Sequence, residues 1–348
     1  SPLRSDNSRP APFRFNQPGY AVGGPVYIPK LLESTREKLF FFASQEWLIF
    51  RQEKTGTATV PTEAMARGDF SELLSPTNSF FGRTRAVNDP LAGAPFPGNI
   101  IPASRLSANG VGILKSYPLP VAGFLQGTDN WIKTRPNPRD SRKDSIRVDY
   151  YLNQKNRLNF SGTHFTYHED DPFAPTGPLD RANSRWDRPN MTGMIGFTST
   201  LSPTKVNELS VSGANDVVRI GIFPQDGQPL YLRGQYGINF PYIVSGQKRI
   251  QDRIPQVTIS GFATVDGSTR PTSSSGPIYA LNDNFTWIKN SAHTLKFGVS
   301  LEQAQQNNND QIGIQNGVIS FLDAGNPRSS GVAVANLALG NFDNYIER

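Results

Sequence analysis

Cysteine is absent from the 348 residues. That excludes a disulfide framework and any thiolate metal site, and it leaves a periplasmic or surface location open. Histidine and methionine number three each, and charged side chains make only 18% of the chain. The excess of six positive charges is modest. It fits an ordinary solvated surface, a basic lumen or contact with anionic lipopolysaccharide, and gives no reason to invoke nucleic acid.

Long apolar runs are missing too. The longest, Leu39-Phe-Phe-Phe-Ala43, has the length of a strand, far short of the about 18 residues that a membrane-spanning helix needs. Strands of a membrane barrel alternate apolar and polar residues, so their hydropathy signal is weak. A mean hydropathy of −0.44 therefore fits a soluble β protein and a barrel with large wet loops alike. No phosphate-cradling Gly-Lys-Ser/Thr loop and no nucleophile elbow occurs, which removes two large enzyme classes. The sequence opens at Ser1 without initiator methionine or signal peptide and reads as a piece of a longer protein.

What the chain does contain is turn and strand material: 31 glycines, 28 prolines and 11% aromatics. Residues 279–305 read as one long hairpin. Tyr279, Leu281, Phe285 and Trp287 share one parity, and Leu295, Phe297, Val299 and Leu301 share one parity after the turn 288–294. Period-two alternation puts such residues on a single face of a sheet, with Asn282, Asn284, Thr286, Lys296 and Ser300 on the other. The plan recurs at about 145–167, around the turn 153–156, and at about 191–218, around Ser202-Pro203-Thr204. Adding 13–28 and 39–50 gives strands at 13–28, 39–50, 146–152, 157–167, 191–201, 205–218, 278–288 and 294–305. Short turns then fall at one end and long segments (51–144, 168–190, 219–277 and from 306) at the other. That is the layout of an all-β, antiparallel up-and-down transmembrane barrel, here a partial one of about eight or nine strands, with long outer loops carrying short helices. In 39–50 both parities are partly apolar, which leaves its lipid-facing side open.

A structureless loop as long as 51–144 does not belong in a compact domain, so this insertion is expected to carry its own structure. Residues 62–74 predict a short helix with Thr62 as cap, Glu63 in its first turn and Gly68 interrupting it. Basic Arg139 to Lys143 reads as a solvated loop edge, and 272–276 as a flexible segment. Residues 254–265 predict a short strand pair, 318–321 a strand, and Ala-rich 332–339 one or two helical turns.

Candidate chemistry is sparse. His164 and His168 are four apart, followed by Glu169, Asp170 and Asp171. On a helix that spacing binds zinc, but here it falls at a strand end and loop, where the rings do not converge. Glu169 and Asp171 match a glycosidase pair in type only, since no apolar setting to raise one pKa is evident. His293 belongs to a turn. Arg67-Gly-Asp69 copies an adhesion tripeptide inside a helical segment, and Asn307 to Asp310 lacks the spaced carboxylates of a calcium loop. No catalytic, cofactor or metal residues are assigned, and the substrate-binding residues stay unknown.

An ordered set of motifs runs along the chain: Val22-Gly-Gly-Pro25, Lys38-Leu-Phe-Phe-Phe42, Val60-Pro-Thr62 with Gly68-Asp-Phe-Ser71, Asn88-Asp-Pro-Leu91, Pro95-Phe-Pro-Gly-Asn99, Ile101-Pro-Ala-Ser-Arg105, Tyr117-Pro-Leu-Pro120, Arg147-Val-Asp149, Leu201-Ser-Pro-Thr204 and His293-Thr-Leu-Lys-Phe-Gly298. Together they resemble the barrel domain of Oar-like TonB-dependent outer-membrane receptors, from about residue 13 to the end. The resemblance implies a larger barrel with an N-terminal plug, driven by an inner-membrane energy-transducing complex. The plug would precede Ser1 and further strands would follow Arg348, so residues 1–348 would be part of one barrel domain. It implies a non-enzymatic receptor in the cell outer membrane, touching lipid and lipopolysaccharide, that imports a bulky nutrient such as an oligosaccharide, peptide or metal chelate. Two other readings fit the residues: a secreted or surface β-rich binding or adhesion protein without transport, and a β-sandwich carbohydrate enzyme.

Overall fold

The computed structural model describes residues 12–27, 37–78, 80–121, 129–173, 179, 184–222, 231–244, 252–267, 272–309 and 314–348. In chain order its strands are β1 (Arg14–Asn16), β2 (Gly19–Pro25), β3 (Leu39–Arg51), β4 (Glu53–Ala58), β5 (Trp131–Pro136), β6 (Arg139–Tyr151), β7 (Asn156–Asp171), β8 (Ser184–Asp187), β9 (Asn190–Ser202), β10 (Lys205–Ile222), β11 (Gln256–Ile259), β12 (Phe262–Val265), β13 (Thr272–Ile288), β14 (Thr294–Ala304), β15 (Asn307–Asn309), β16 (Val318–Phe321) and β17 (Asn344–Ile346). The α-helices are α1 (Glu63–Ala66), α2 (Ala108–Ser116) and α3 (Ala333–Leu339). Among the described residues no helix is long and apolar enough to cross a membrane, which says nothing of strands.

Eleven strand segments form one antiparallel wall, in which each full-length strand pairs with the next in the chain. Three of these strands are broken once, giving β1 with β2, β8 with β9 and β14 with β15. Pro18 and Pro189 sit in two of the breaks, where a residue without an N–H cannot continue a ladder. The hairpin turns are built by side chains that cap their own backbone. Asn153 Oδ1 accepts from the N–H groups of Lys155 and Asn156 at 2.9 and 3.0 Å. Asn290 Oδ1 does the same for Ala292 and His293 at 3.0 and 2.9 Å, and Ser202 Oγ for Thr204 at 3.3 Å.

Register fixes the two faces. Residues opposite one another share a side, and the ladder places Phe41, Val148, Phe160, Ile195, Val211, Leu281 and Leu301 in one continuous row across seven strands. The neighbouring row is Leu39, Tyr150, Leu158, Phe197, Leu209, Asp283 and Val299. The opposite side carries Arg147, Ser161, Met194, Ser210, Asn282 and Ser300. The period-two reading of Phe297, Val299 and Lys296 therefore holds. The open question at β3 is resolved by its partners: Phe41 lies on the apolar side, while Phe40, Phe42 and Phe50 lie on the polar side. There Phe13 and Phe15 pack against Phe50 at 5.3 and 6.0 Å between ring centroids. Among the described residues the wall does not close, and β1/β2 and β14 are its two edges.

Several boundaries differ from the sequence reading. Arg139 to Lys143 is not a loop edge but the start of β6, because its charged side chains have partners across the ladder: Arg51 pairs with Asp140 at 2.6 Å and Arg139 with Glu169 at 2.8 Å. The insertion read as 51–144 thus spans only the residues between β3 and β6. The stretch 168–190 is not all loop, since β7 runs to Asp171 and β8 pairs with it. Residues 272–276 are strand, held in the ladder against β10. Asn307–Asn309 is the strand β15, and Asp310 lies outside the described residues.

At the long-loop end the segments that leave the wall strands fold together as one cap. Its buried apolar cluster comes entirely from those segments and includes Val60, Met65, Phe70, Leu73, Leu114, Trp131, Val257, Ile319, Val334 and Leu337. A four-stranded sheet, β12-β11-β16-β17, joins two of them, with β11 and β16 parallel. The first segment is tied in by Ala263 N–H to Thr59 O at 2.8 Å, Tyr117 O–H to Ala263 O at 2.9 Å and Arg85 to Asp323 at 2.9 Å. Helices α2 and α3 touch backbone to backbone at Gly110, where a Cβ would come within 1.9 Å of Leu337 O. The expected local structures are present: Thr62 accepts from Met65 N–H at 3.3 Å, Gly68 takes φ +86°, 254–265 forms β11 and β12, and 332–339 holds α3.

Candidate functional site

The cap holds a cleft of about 310 Å³ where α2, α3, β16, β17 and the segment 240–243 meet. Sequence and packing explain its walls. Ser107 caps α2 by accepting from Gly110 N–H at 3.2 Å, and small Gly110 lets α3 come close, so Ile113 and Leu337 form the back. Val257, Ile319 and Tyr345 share one side of the cap sheet, turned to the cleft and core. Phe240, Phe342 and Tyr345 bring aromatic rings to the opening, with Phe240 edge-on to Tyr345 at 5.7 Å.

Two charged residues hold the segment 238–244 in place. Buried Arg233 lies against the rings of Phe240 and Tyr242 at 4.3 and 4.4 Å, donates from Nε to Ile238 O at 3.0 Å and also donates from Nη2 to Phe240 O. On the other side the Glu347 carboxylate accepts from the N–H groups of Ile243 and Val244 at 2.9 and 3.2 Å and from the Tyr345 hydroxyl at 2.6 Å. Burial, then the bond to Glu347, raises the Tyr345 pKa, so this hydroxyl remains a donor. Tyr242, pushed up to about 12 by burial and its bond to Asp252, is likewise a donor. Ordered apolar walls with a few engaged polar groups suit capture of an apolar or aromatic group.

Residues singled out by sequence lie elsewhere. His164 and His168 share one face of β7, roughly 13 Å apart along an extended strand. His164 Nδ1 is 3.6 Å from Asp144, while His168 contacts Asp187 at 2.8 Å and Asp170 at 3.4 Å. Among the described residues no three His, Cys, Asp or Glu side chains gather as a metal site. Glu169 and Asp171 are engaged at the junction of wall and cap. Glu169 accepts from Asn137 at 3.0 Å and Arg139 at 2.8 Å, and Asp171 pairs with Lys54 at 2.9 Å. His293 closes the β13–β14 turn. In the copied adhesion tripeptide, Arg67 is paired with Glu63 at 2.7 Å and Asp69 accepts from Ser71 N–H at 2.9 Å. The cleft residues Phe240, Ile243, Phe342 and Tyr345 were missed. They come from two segments far apart in the chain, and no spacing rule links them.

No curated protein shows a significant match to the sequence. The family described as outer membrane beta barrel domain matches residues 2–348, nearly the whole chain. With the wall of consecutive hairpins that gathers its apolar rows on one side, that match settles the class: the chain belongs to the outer membrane beta barrel domain family and resides in the outer membrane.

Proposed function

We propose that this chain is part of an Oar-like, TonB-dependent receptor that binds a bulky nutrient and imports it by energy coupling. In this reading the continuous apolar row faces hydrocarbon and lipopolysaccharide, the polar side of the wall faces a lumen, and the cap lies outside the cell. The protein performs no catalysis and binds no nucleic acid. The observation that carries the reading is the cap. Separate excursions from the wall co-fold over one shared core, and the first of them carries half of the motifs of the receptor resemblance. A receptor needs such an ordered structure at the outer end to select its ligand before passage. Energy coupling would act through a plug and an inner-membrane complex outside this sequence.

The test uses the full-length protein in its own cell envelope. Crosslinking should capture the energy-transducing complex, and uptake of the nutrient mixture that supports growth should stop when the proton gradient is collapsed. Capture of nothing, with uptake unchanged by deletion of the gene, would favour a surface binding protein without transport.

A further inference from the structure

We propose that the open edge of the cap sheet accepts an extended peptide as an added strand, with an apolar side chain of that peptide seated in the cleft. The proposal rests on the receptor reading and narrows its ligand class. Strand β17 ends the four-stranded sheet and, among the described residues, pairs on one side with β16. Exposed sheet edges are usually guarded by charge, proline or a bulge. Here the charges that flank β17 are used internally: Asp343 accepts from Leu322 N–H at 2.6 Å, and Glu347 is spent on Ile243, Val244 and Tyr345. Around this edge, large apolar side chains stand in the open: Ile243 is 73% exposed, Phe342 52% and Ile346 42%. An exposed apolar cluster beside unpaired backbone is the arrangement by which sheets recruit a strand.

The cleft supplies the side-chain pocket. Register puts Tyr345 on the cleft side of β17 and Asn344 and Ile346 on the other, so an incoming strand places every second side chain toward the cleft. Two of its polar oxygens are already engaged, Ser107 Oγ by Gly110 N–H and Asn109 Oδ1 by Asn239 N–H at 2.7 Å, and none of the described residues that line it is charged. The many hydroxyls of a sugar and the anionic oxygens of a metal chelate would lose water there for few polar partners and no cation. An apolar side chain carried on a backbone that bonds to β17 loses little and gains both.

The experiment uses the full-length protein in lipid nanodiscs and a fluorescein-labelled peptide of alternating valine and threonine. A copy N-methylated at alternate residues cannot donate along one edge, and a maltohexaose competitor probes the sugar alternative. The expected result is saturable binding, weakened roughly tenfold or more by Phe342→Ala, Ile346→Lys or N-methylation, and unaffected by maltohexaose. Ile243→Ser, on the opposite lip, gives a second route if one variant fails to insert, and heat-modified gel mobility reports insertion. Equal binding of the N-methylated peptide, indifference to all three substitutions, or displacement by maltohexaose would overturn the proposal. Binding needs no energy source. Peptide bound without import leaves this inference standing and removes the transport reading, whereas import without peptide binding does the reverse.

Discussion

Arg105 grips the carboxylate of Asp89 at two points, Nη1 to Oδ2 and Nη2 to Oδ1, both at 2.8 Å. Asp89 comes from the Asn88-Asp-Pro-Leu91 stretch and Arg105 from Ile101-Pro-Ala-Ser-Arg105, so one bidentate pair joins two sequence motifs. Asp89 also accepts from Leu91 N–H at 2.9 Å. The Arg105 bond first, then the backbone bond, holds its pKa at about 2, below its ordinary 3.8. A carboxylate whose pKa is depressed by folding stabilises the fold above its unfolded value and stops doing so as pH falls through its folded value. The contribution of the Arg105–Asp89 pair to cap stability should therefore be level above pH about 4 and fall between about 4 and 2. Asp89→Asn should lower stability at neutral pH and flatten that fall. The probe is the fluorescence of buried Trp131 in a protein whose other tryptophans are phenylalanine. An unchanged acid transition in Asp89→Asn would contradict this role.

The wall was legible because its signal is local. Alternation at 279–305 is imposed by a pleat with hydrocarbon on one side, and the Asn and Ser turns declare themselves within a few residues. The cap was legible only in fragments such as the Thr62 helix start or the strand at 318–321. Its assembly depends on β11 pairing with β16 across the intervening β13–β14 hairpin, and no local pattern encodes that partner choice. The misread charged stretch at 139–143 has the same cause. Arg and Asp in a strand look like loop until Arg51 and Glu169 are placed opposite. One motif residue has a clear structural role. Asn99 at φ 57° accepts from Val87 N–H at 2.9 Å and donates to Arg85 O at 2.8 Å and to Phe70 O at 3.4 Å, joining three stretches of the cap at once.

Helix packing gives a sharper test of the cap. A methyl group at Gly110 would collide with the Leu337 carbonyl, so Gly110→Ala should force α2 and α3 apart at a cost of about 1–3 kcal/mol. Thermal unfolding of the cap, followed by proteolysis of the folded protein, should shift down while heat-modified gel mobility of the wall stays constant. Gly234→Ala, where nothing lies within 4 Å, should be close to neutral.

The two faces of the wall make opposite predictions at adjacent positions. Ile195 lies mid-row on the apolar side and is 54% exposed. Ile195→Arg should cost about 2–4 kcal/mol of folding into a bilayer if the row lies near the midplane. Met194, one residue away on the polar side, should accept arginine with little change, and Phe297→Asp and Lys296→Asp should show the same contrast at β14. Urea titration in vesicles measures all four. Greater sensitivity at Met194 and Lys296 would mean the wall is turned inside out.

Arg233 makes the last case, because its guanidinium fixes the lip of the cleft without lining it. Arg233→Met keeps the apolar stem and length but leaves the carbonyls of Ile238 and Phe240 without these donors, each worth about 1–3 kcal/mol if still buried, and removes the cation from beside two rings. The segment 238–244 should then be cut faster by protease than in the wild type, while the remote pair Arg51–Asp140 and the wall keep their stability, since distant sites add independently. Lysine at this position supplies charge but not the fork that reaches two carbonyls. Arg233→Lys should therefore resemble Arg233→Met in protease sensitivity, and full rescue by lysine would show that charge alone, not planar geometry, sets the lip.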